Sequence, residues 1–295
     1  MSDLLAEALA RTDLTDDARH KLGNVERVLG DDPQAHLLSL FFLDGEPYAS
    51  IGFGDVTTAD LIVVVLHGID TDLGQLPPWA ETSQRLCGDV IRAITLRGGT
   101  ASVAVVLWFG YDTGSHVTAL ATAHATIGAA RLAVELERLA QHDTAARIAL
   151  VAYSYSSTLL GELVVLDGAG HVSEAFSIAS AGMTHMAADA VESRIADGSL
   201  ALHATESATD GVAHLGRFGQ HPIDPRDIDG AIVYSSDGGA VDGLDGVTGE
   251  ATQGHSSQSE TDDDGVTRRG YFDPEAQAYL YLVDRLAALA VRPRT

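Results

Sequence analysis

Cysteine is nearly absent, with one residue, Cys87, in a chain of 295. That excludes an intramolecular disulfide and a thiolate metal cluster within one chain. Positive charge is also scarce: 18 Lys and Arg stand against 42 Asp and Glu, for a net charge of −24. A surface of that sign repels phosphate backbones and anionic lipid, so no nucleic-acid partner and no membrane-surface role are expected. No stretch reaches the roughly 18–20 consecutive apolar residues needed to span a bilayer, so no membrane span is expected either. The opening segment MSDLLAEALARTDLTDDARHKLG has no basic stretch followed by an apolar run. It does not read as a secretory signal, and a cytoplasmic location is the expectation. G-x-x-x-x-G-K-[ST], G-x-G-x-x-G after a predicted strand, and H-E-x-x-H are all missing, so neither a nucleotide cofactor nor a zinc site is expected. The acidic run Asp262, Asp263, Asp264 lacks the alternating spacing and bidentate Glu of a calcium loop and reads as solvated surface.

Apolar residues are plentiful, at 45% of the chain, enough to bury a single large core. Residues 1–35 read as one or two polar-faced helices, an N-terminal extension to a domain of residues 36–295. Between Leu37 and Val56, short apolar runs are broken by Asp44-Gly45 and Gly52-Phe53-Gly54, the signature of an antiparallel hairpin. After that, strands and helices alternate. The strands are Leu61–Leu66, Ser102–Trp108, Arg147–Tyr153, Glu174–Ala179, Leu200–Thr205 and Ala231–Ser235. Helices are expected from about Pro78, from about Val117 to Gln141, from Ser156 to Leu166, and from Pro274 to about Val291. Cys87, inside the first of these, reads as a small buried hydrophobe. Continuous aliphatic runs such as LIVVVL belong to strands covered on both faces. The fold class is therefore α/β: a mostly parallel central sheet with helices on both faces and an antiparallel hairpin at the N-terminal edge. The segment Ser236–Phe272, rich in Gly, Asp, Ser and Thr, reads as a long surface loop.

Chemistry concentrates at ALVAYSYSST, where Ser154 stands directly after a buried strand and directly before a helix. A serine on so sharp a strand-to-helix turn is lifted clear of the sheet's carboxyl edge, and small residues are needed two positions away. Here those residues are Ala152 and Ser156 in place of glycine. Strand Leu61–Leu66 ends in His67-Gly68-Ile69-Asp70, where a loop can aim a backbone N–H at a developing oxyanion. The donors expected are the N–H of Tyr155 and that of Ile69 or Asp70, with Gly68 allowing close approach. The order Ser…Asp/Glu…His then selects the remaining groups. Asp210 is the first choice of acid and Glu206 the reserve; each also fits a solvated loop carboxylate. His255 is the histidine that follows the last strand and is the candidate base. His67, Trp108 and Tyr111 are pocket candidates, although a Trp at a strand end suits a core equally well. Asp112 in Tyr-Asp-Thr-Gly reads as a turn residue.

Three motifs in matching order, Trp108-Phe109-Gly110-Tyr111-Asp112, Ala152-Tyr153-Ser154-Tyr155-Ser156-Ser157 and Gly254-His255-Ser256, make the chain resemble the α/β-hydrolase superfamily. Within it they are similar to an actinobacterial branch of unknown function with a Gly-His-Ser-Tyr-Gly-Ser elbow. The similarity runs from about Leu61 to the C-terminal helix. It implies a serine hydrolase that cleaves an ester or related acyl bond of a small-molecule substrate without a cofactor. The chain departs from the pattern at Ala152 and Ser156, which add a Cβ to a strained turn, and at Tyr153, where the family often has histidine. A catalytically silent binding or assembly module on the same fold is the alternative.

Overall fold

The computed structural model describes residues 3–142, 146–262 and 264–292; Asp263 of the acidic run lies outside them. Two helices, α1 (Asp3–Leu9) and α2 (Asp16–Asp31), come first. Thr15 caps α2, its hydroxyl accepting from the Ala18 N–H at 3.0 Å. The hairpin follows as β1 (Ala35–Leu43) and β2 (Glu46–Phe53), turning through Asp44 and Gly45, both at positive φ. The alternating part comprises β3 (Leu61–Leu66), α3 (Leu76–Leu96), β4 (Val103–Phe109), α4 (Ala123–His142), β5 (Arg147–Tyr153), α5 (Ser156–Val165), β6 (Val172–Ile178), α6 (His185–Ala196), β7 (Ala201–Thr205), the short α7 (Ala213–Gly216) and β8 (Ile232–Val233). Four short strands, β9 (Asp237–Ala240), β10 (Thr248–Ala251), β11 (Glu260–Thr261) and β12 (Thr267–Arg268), precede the last helix, α8 (Gln277–Val291).

The main sheet has eight strands in the order β1-β2-β4-β3-β5-β6-β7-β8. Pairings from β4 to β8 are parallel, and β1 and β2 run antiparallel at one edge. The inner strands are buried on both faces, so alternate residues feed two cores. Leu61, Val63 and Val65 point into one core with residues of α1, α2, α3 and α8. Ile62, Val64 and Leu66 point into the other with residues of α4, α5 and α6. This is the α/β-hydrolase architecture expected from the sequence.

Helix α6 is not among the expected helices, and three further details differ from the sequence expectation. The helix expected from Val117 begins at Ala123. The carbonyls that would extend it backwards are taken by tertiary partners: Ala119 O faces His221 Nε2, Leu120 O accepts from the Gln220 N–H, and Ala121 O accepts from the Tyr155 hydroxyl. The strand expected over Ala231–Ser235 shrinks to two residues, Ile232 and Val233, because it is an exposed edge with one neighbour. Ser236–Phe272 is not a structureless loop; it holds the antiparallel pairs β9–β10 and β11–β12. Its end is driven inward by Tyr271 and Phe272, both fully buried. Cys87 is buried, and burial pushes its thiol up to about 11. Among the described residues no helix is long and apolar enough to cross a membrane, and no group of three or more His, Cys, Asp or Glu is placed to hold a metal ion.

Candidate active site

The carboxyl ends of β3, β5 and β7 converge on Ser154. The chain leaves β5 through Tyr153 and enters α5 at Ser156, and Ser154 absorbs the reversal with φ +58°. For a non-glycine residue that is a strained conformation, stable only where its surroundings hold it. They do: the Ser154 N–H donates to Ile178 O at 2.8 Å, and its carbonyl accepts from the Ser157 N–H at 3.0 Å. Neither Ala152 nor Ser156 has positive φ, so the bend does not require glycine at either position. Ser156 contributes instead, its hydroxyl donating to Tyr153 O at 2.8 Å. The expected crowding is thereby accommodated.

Three residues distant in sequence form one hydrogen-bonded chain. Ser154 Oγ lies 2.8 Å from His255 Nε2. His255 Nδ1 lies 2.8 Å from Asp210 Oδ2 and 3.0 Å from Oδ1. An acceptor carboxylate on Nδ1 places the imidazole proton there and leaves Nε2 with a lone pair toward the serine. Asp210 has a fully buried side chain, whereas that of His255 is 20% exposed. Burial pushes the Asp210 carboxyl up, but hydrogen bonding and charge from His255, the Ala213 N–H and the Tyr271 hydroxyl outweigh it and hold the group below the usual carboxylate range. Glu206, the reserve acid, points elsewhere: it is paired with Arg217 and Arg226. Burial raises its carboxyl despite those partners.

His255 sits on the turn after β10, away from the main sheet, and is fastened from several sides. Gly254 N–H donates to Thr209 Oγ1 at 3.1 Å, and Gln253 N–H donates to Arg269 O at 2.9 Å. The Tyr153 hydroxyl donates to the His255 carbonyl, and the two rings lie with centroids 5.5 Å apart. Sequence reasoning missed Tyr153 and Tyr271 as partners of the histidine and the acid. For Tyr271 a signal existed: an aromatic pair, Tyr271-Phe272, closing a polar stretch marks burial.

The loop after β3 packs directly on the serine. A Cβ at Gly68 would lie 3.3 Å from Ser154 Cβ and 3.2 Å from the Tyr153 ring, so the Gly68–Ile69 backbone runs beside the hydroxyl. Ile69 is half-buried, and Asp70 is exposed with φ +55°. Tyr155 stands at the N-cap of α5, whose leading N–H groups have no helical carbonyl to bond. Among the pocket candidates, His67 and Trp108 are enclosed in the core; His67 stacks on Phe109 at 4.1 Å, and Trp108 stacks on Tyr111 at 5.6 Å. Tyr111 is also buried, but it lines a cavity of about 690 Å³ together with Asp70, Asp112 and His124. Asp112 holds its turn, with Oδ1 accepting from the Gly114 N–H at 2.8 Å.

A protein-family model described as alpha/beta hydrolase matches residues 44–220. No curated protein matches the chain. Among solved structures, a predicted CIB-like hydrolase from Thermoplasma acidophilum is 11% identical, with a TM-score of 0.44, covering 86% of this chain and 99% of that one. A cold-adapted esterase from an Arctic intertidal metagenomic library is 11% identical at TM-score 0.41, covering 68% of this chain and 82% of that one. A lipase-esterase related protein from Clostridium acetobutylicum is 8% identical at TM-score 0.39, covering 64% and 89% respectively.

Proposed function

The chain belongs to the alpha/beta hydrolase family, and from that premise we propose that it is a serine hydrolase that cleaves an ester or related acyl bond of a small-molecule substrate. The observation that carries this reading is the 2.8 Å separation of Ser154 Oγ and His255 Nε2, with Asp210 behind the ring. In the proposed reaction His255 Nε2 takes the proton from Ser154 Oγ as that oxygen attacks the acyl carbon. The tetrahedral oxyanion is held by the N–H of Tyr155 and that of Ile69, with Asp70 as the neighbouring alternative on the same loop. Collapse expels the leaving group with the proton from His255 and leaves an acyl-Ser154 ester. Water, deprotonated by the same imidazole, then releases the acid. Asp210 fixes the tautomer and offsets the imidazolium charge that forms twice per cycle. No cofactor enters these steps. Within the family, the Trp108–Asp112, Ala152–Ser157 and Gly254–Ser256 motifs support assignment to the actinobacterial branch, and we read residues 1–35 as an extension of the hydrolase domain of residues 36–295.

A fluorophosphonate probe tests the proposal. Wild type is expected to be labelled at Ser154, and Ser154→Ala to lose the label while remaining folded by circular dichroism. A folded wild type that stays unlabelled, and hydrolyses no aryl ester, would favour the silent binding module.

A further inference from the structure

The groups behind Asp210 extend the hydrogen-bonded chain by one more member. Tyr271 is fully buried, and its hydroxyl lies 2.9 Å from Asp210 Oδ2, the same oxygen that faces His255 Nδ1. The backbone N–H of Ser207 donates to the Tyr271 oxygen at 2.8 Å. That settles the direction of the other bond: with its oxygen already accepting, the phenol proton is left for the carboxylate. The other carboxyl oxygen, Oδ1, accepts from the N–H groups of Val212 and Ala213 at 3.0 and 2.9 Å. Tyr271 is also tied to the histidine turn through its backbone, its N–H donating to Ser256 O at 3.0 Å. One residue therefore joins the acid to the turn that bears the imidazole.

Resting on the serine hydrolase reading above, we propose that Tyr271 is a positioning residue, acting through Asp210 to hold the carboxylate ionised with Oδ2 directed at His255. Burial, and after it the charge of Asp210, drives the phenol far above its ordinary range, so it stays a donor across the working pH. The other charged and titratable groups around the acid are few. Tyr153 feels the Asp210 charge from beneath the histidine turn, Glu260 acts on that same tyrosine, and Asp237 reaches the acid's loop by accepting from Ser207 Oγ and the Ala208 N–H. None of these donates to the carboxylate as Tyr271 does.

The test compares wild type, Tyr271→Phe and a chain with 3-fluorotyrosine placed at position 271, using the rate–pH profile on an aryl acetate and the carbon NMR titration of the Asp210 carboxyl. Losing the donor is expected to raise the Asp210 midpoint and to move the acid limb of kcat/KM up by about half a pH unit, because a carboxylate with one donor fewer holds the imidazolium more tightly. The plateau kcat is expected to fall about tenfold with KM unchanged. Fluorotyrosine, a stronger donor of nearly the same size, is expected to move both midpoints the opposite way, and it decides the matter if the phenylalanine variant fails to fold. Midpoints unmoved in both variants overturn the proposal, since a purely space-filling tyrosine leaves them where they were. A wild type that hydrolyses nothing sinks the hydrolase reading instead, while the carboxyl titration still decides whether Tyr271 governs Asp210.

Discussion

His67 lies wholly inside the core, stacked on Phe109 and, at 5.8 Å, on Tyr111. Its Nδ1 faces Gly68 O at 3.2 Å, and Nε2 has no partner among the described residues. Protonation there would bury an imidazolium with one nitrogen unanswered. Desolvation accordingly lowers its pKa to about 4, the contact with Gly68 O and the charge of Asp72 opposing the shift. The folded state thus refuses a proton that the unfolded chain accepts at its ordinary value of about 6.5. The resulting stability is complete above that unfolded value and is lost as pH falls from about 6.5 to about 4, amounting to about 3 kcal/mol across the window. His67→Phe keeps the aromatic stack and removes the titration. Urea melts at pH 7 and pH 4.5 are expected to show a smaller acid loss in the variant than in wild type; equal losses would show that His67 is not the group responsible.

At the scale of elements, the turn after β5 and the loop after β3 act as one unit, because Gly68 packs so closely on Ser154 and Tyr153 that a side chain there would crowd both. Gly68→Ala would press on Ser154 Cβ and the Tyr153 ring at 3.3 and 3.2 Å, and one side must shift by tenths of an ångström. Oxyanion donors work over a narrow distance range, so kcat on an aryl ester is expected to drop about tenfold or more while Tm changes by only a few degrees. A variant with unchanged kcat would show that the loop does not supply a donor. This pairing of elements was partly legible in advance. LIVVVL and RIALVAY announce doubly covered strands because, apart from the leading Arg147, every residue is aliphatic or tolerated in a core, and both end where the sequence pattern put them. Ser154 and His255 followed from their places relative to such strands, chain order left Asp210 as first choice with Glu206 in reserve, and the structure brings Ser154, His255 and Asp210 together. What escaped reading depends on contacts made at a distance. Nothing local says that β4 inserts between β2 and β3, or that the carbonyls of Ala119 to Ala121 are engaged by Gln220, His221 and Tyr155. Helix α6, by contrast, has a local signal in its Thr184 cap and Ala-rich run that sequence reasoning missed. Tyr271's grip on Asp210 spans 61 positions and has no periodic signature.

Across the whole molecule, a net charge of −24 means that folding gathers like charges against their mutual repulsion. Some of it is answered locally. Lys21 of α2, largely buried, meets Asp17, Glu46 and Asp72, tying the first helices to the hairpin and to the segment before α3. Most of the surplus has no such answer, because there are 18 basic residues for 42 acidic ones. Screening should therefore stabilise the fold: between about 0.02 and 0.5 M NaCl, where the Debye length falls from roughly 20 to 4 Å, Tm is expected to rise by several degrees. A Tm that falls with salt would mean that the specific ion pairs outweigh the general repulsion.

The proposed base is mounted outside the main sheet, on a strap that leaves the body after β8 and rejoins it at α8. The strained serine and its proton acceptor therefore stand on different parts of the chain, joined by the contacts that fasten the histidine turn. A single peptide-bond cleavage on the exposed face of the strap, near Val266, would fall between the imidazole and two of its ties, Gln253 N–H to Arg269 O and Tyr271 N–H to Ser256 O, while Val241, Tyr271 and Phe272 keep the strap's ends packed in the core. Such a nicked molecule is expected to melt close to the parent's temperature yet react with the phosphonate more slowly, so the lifetime of the fold and the lifetime of its chemistry are set in different places.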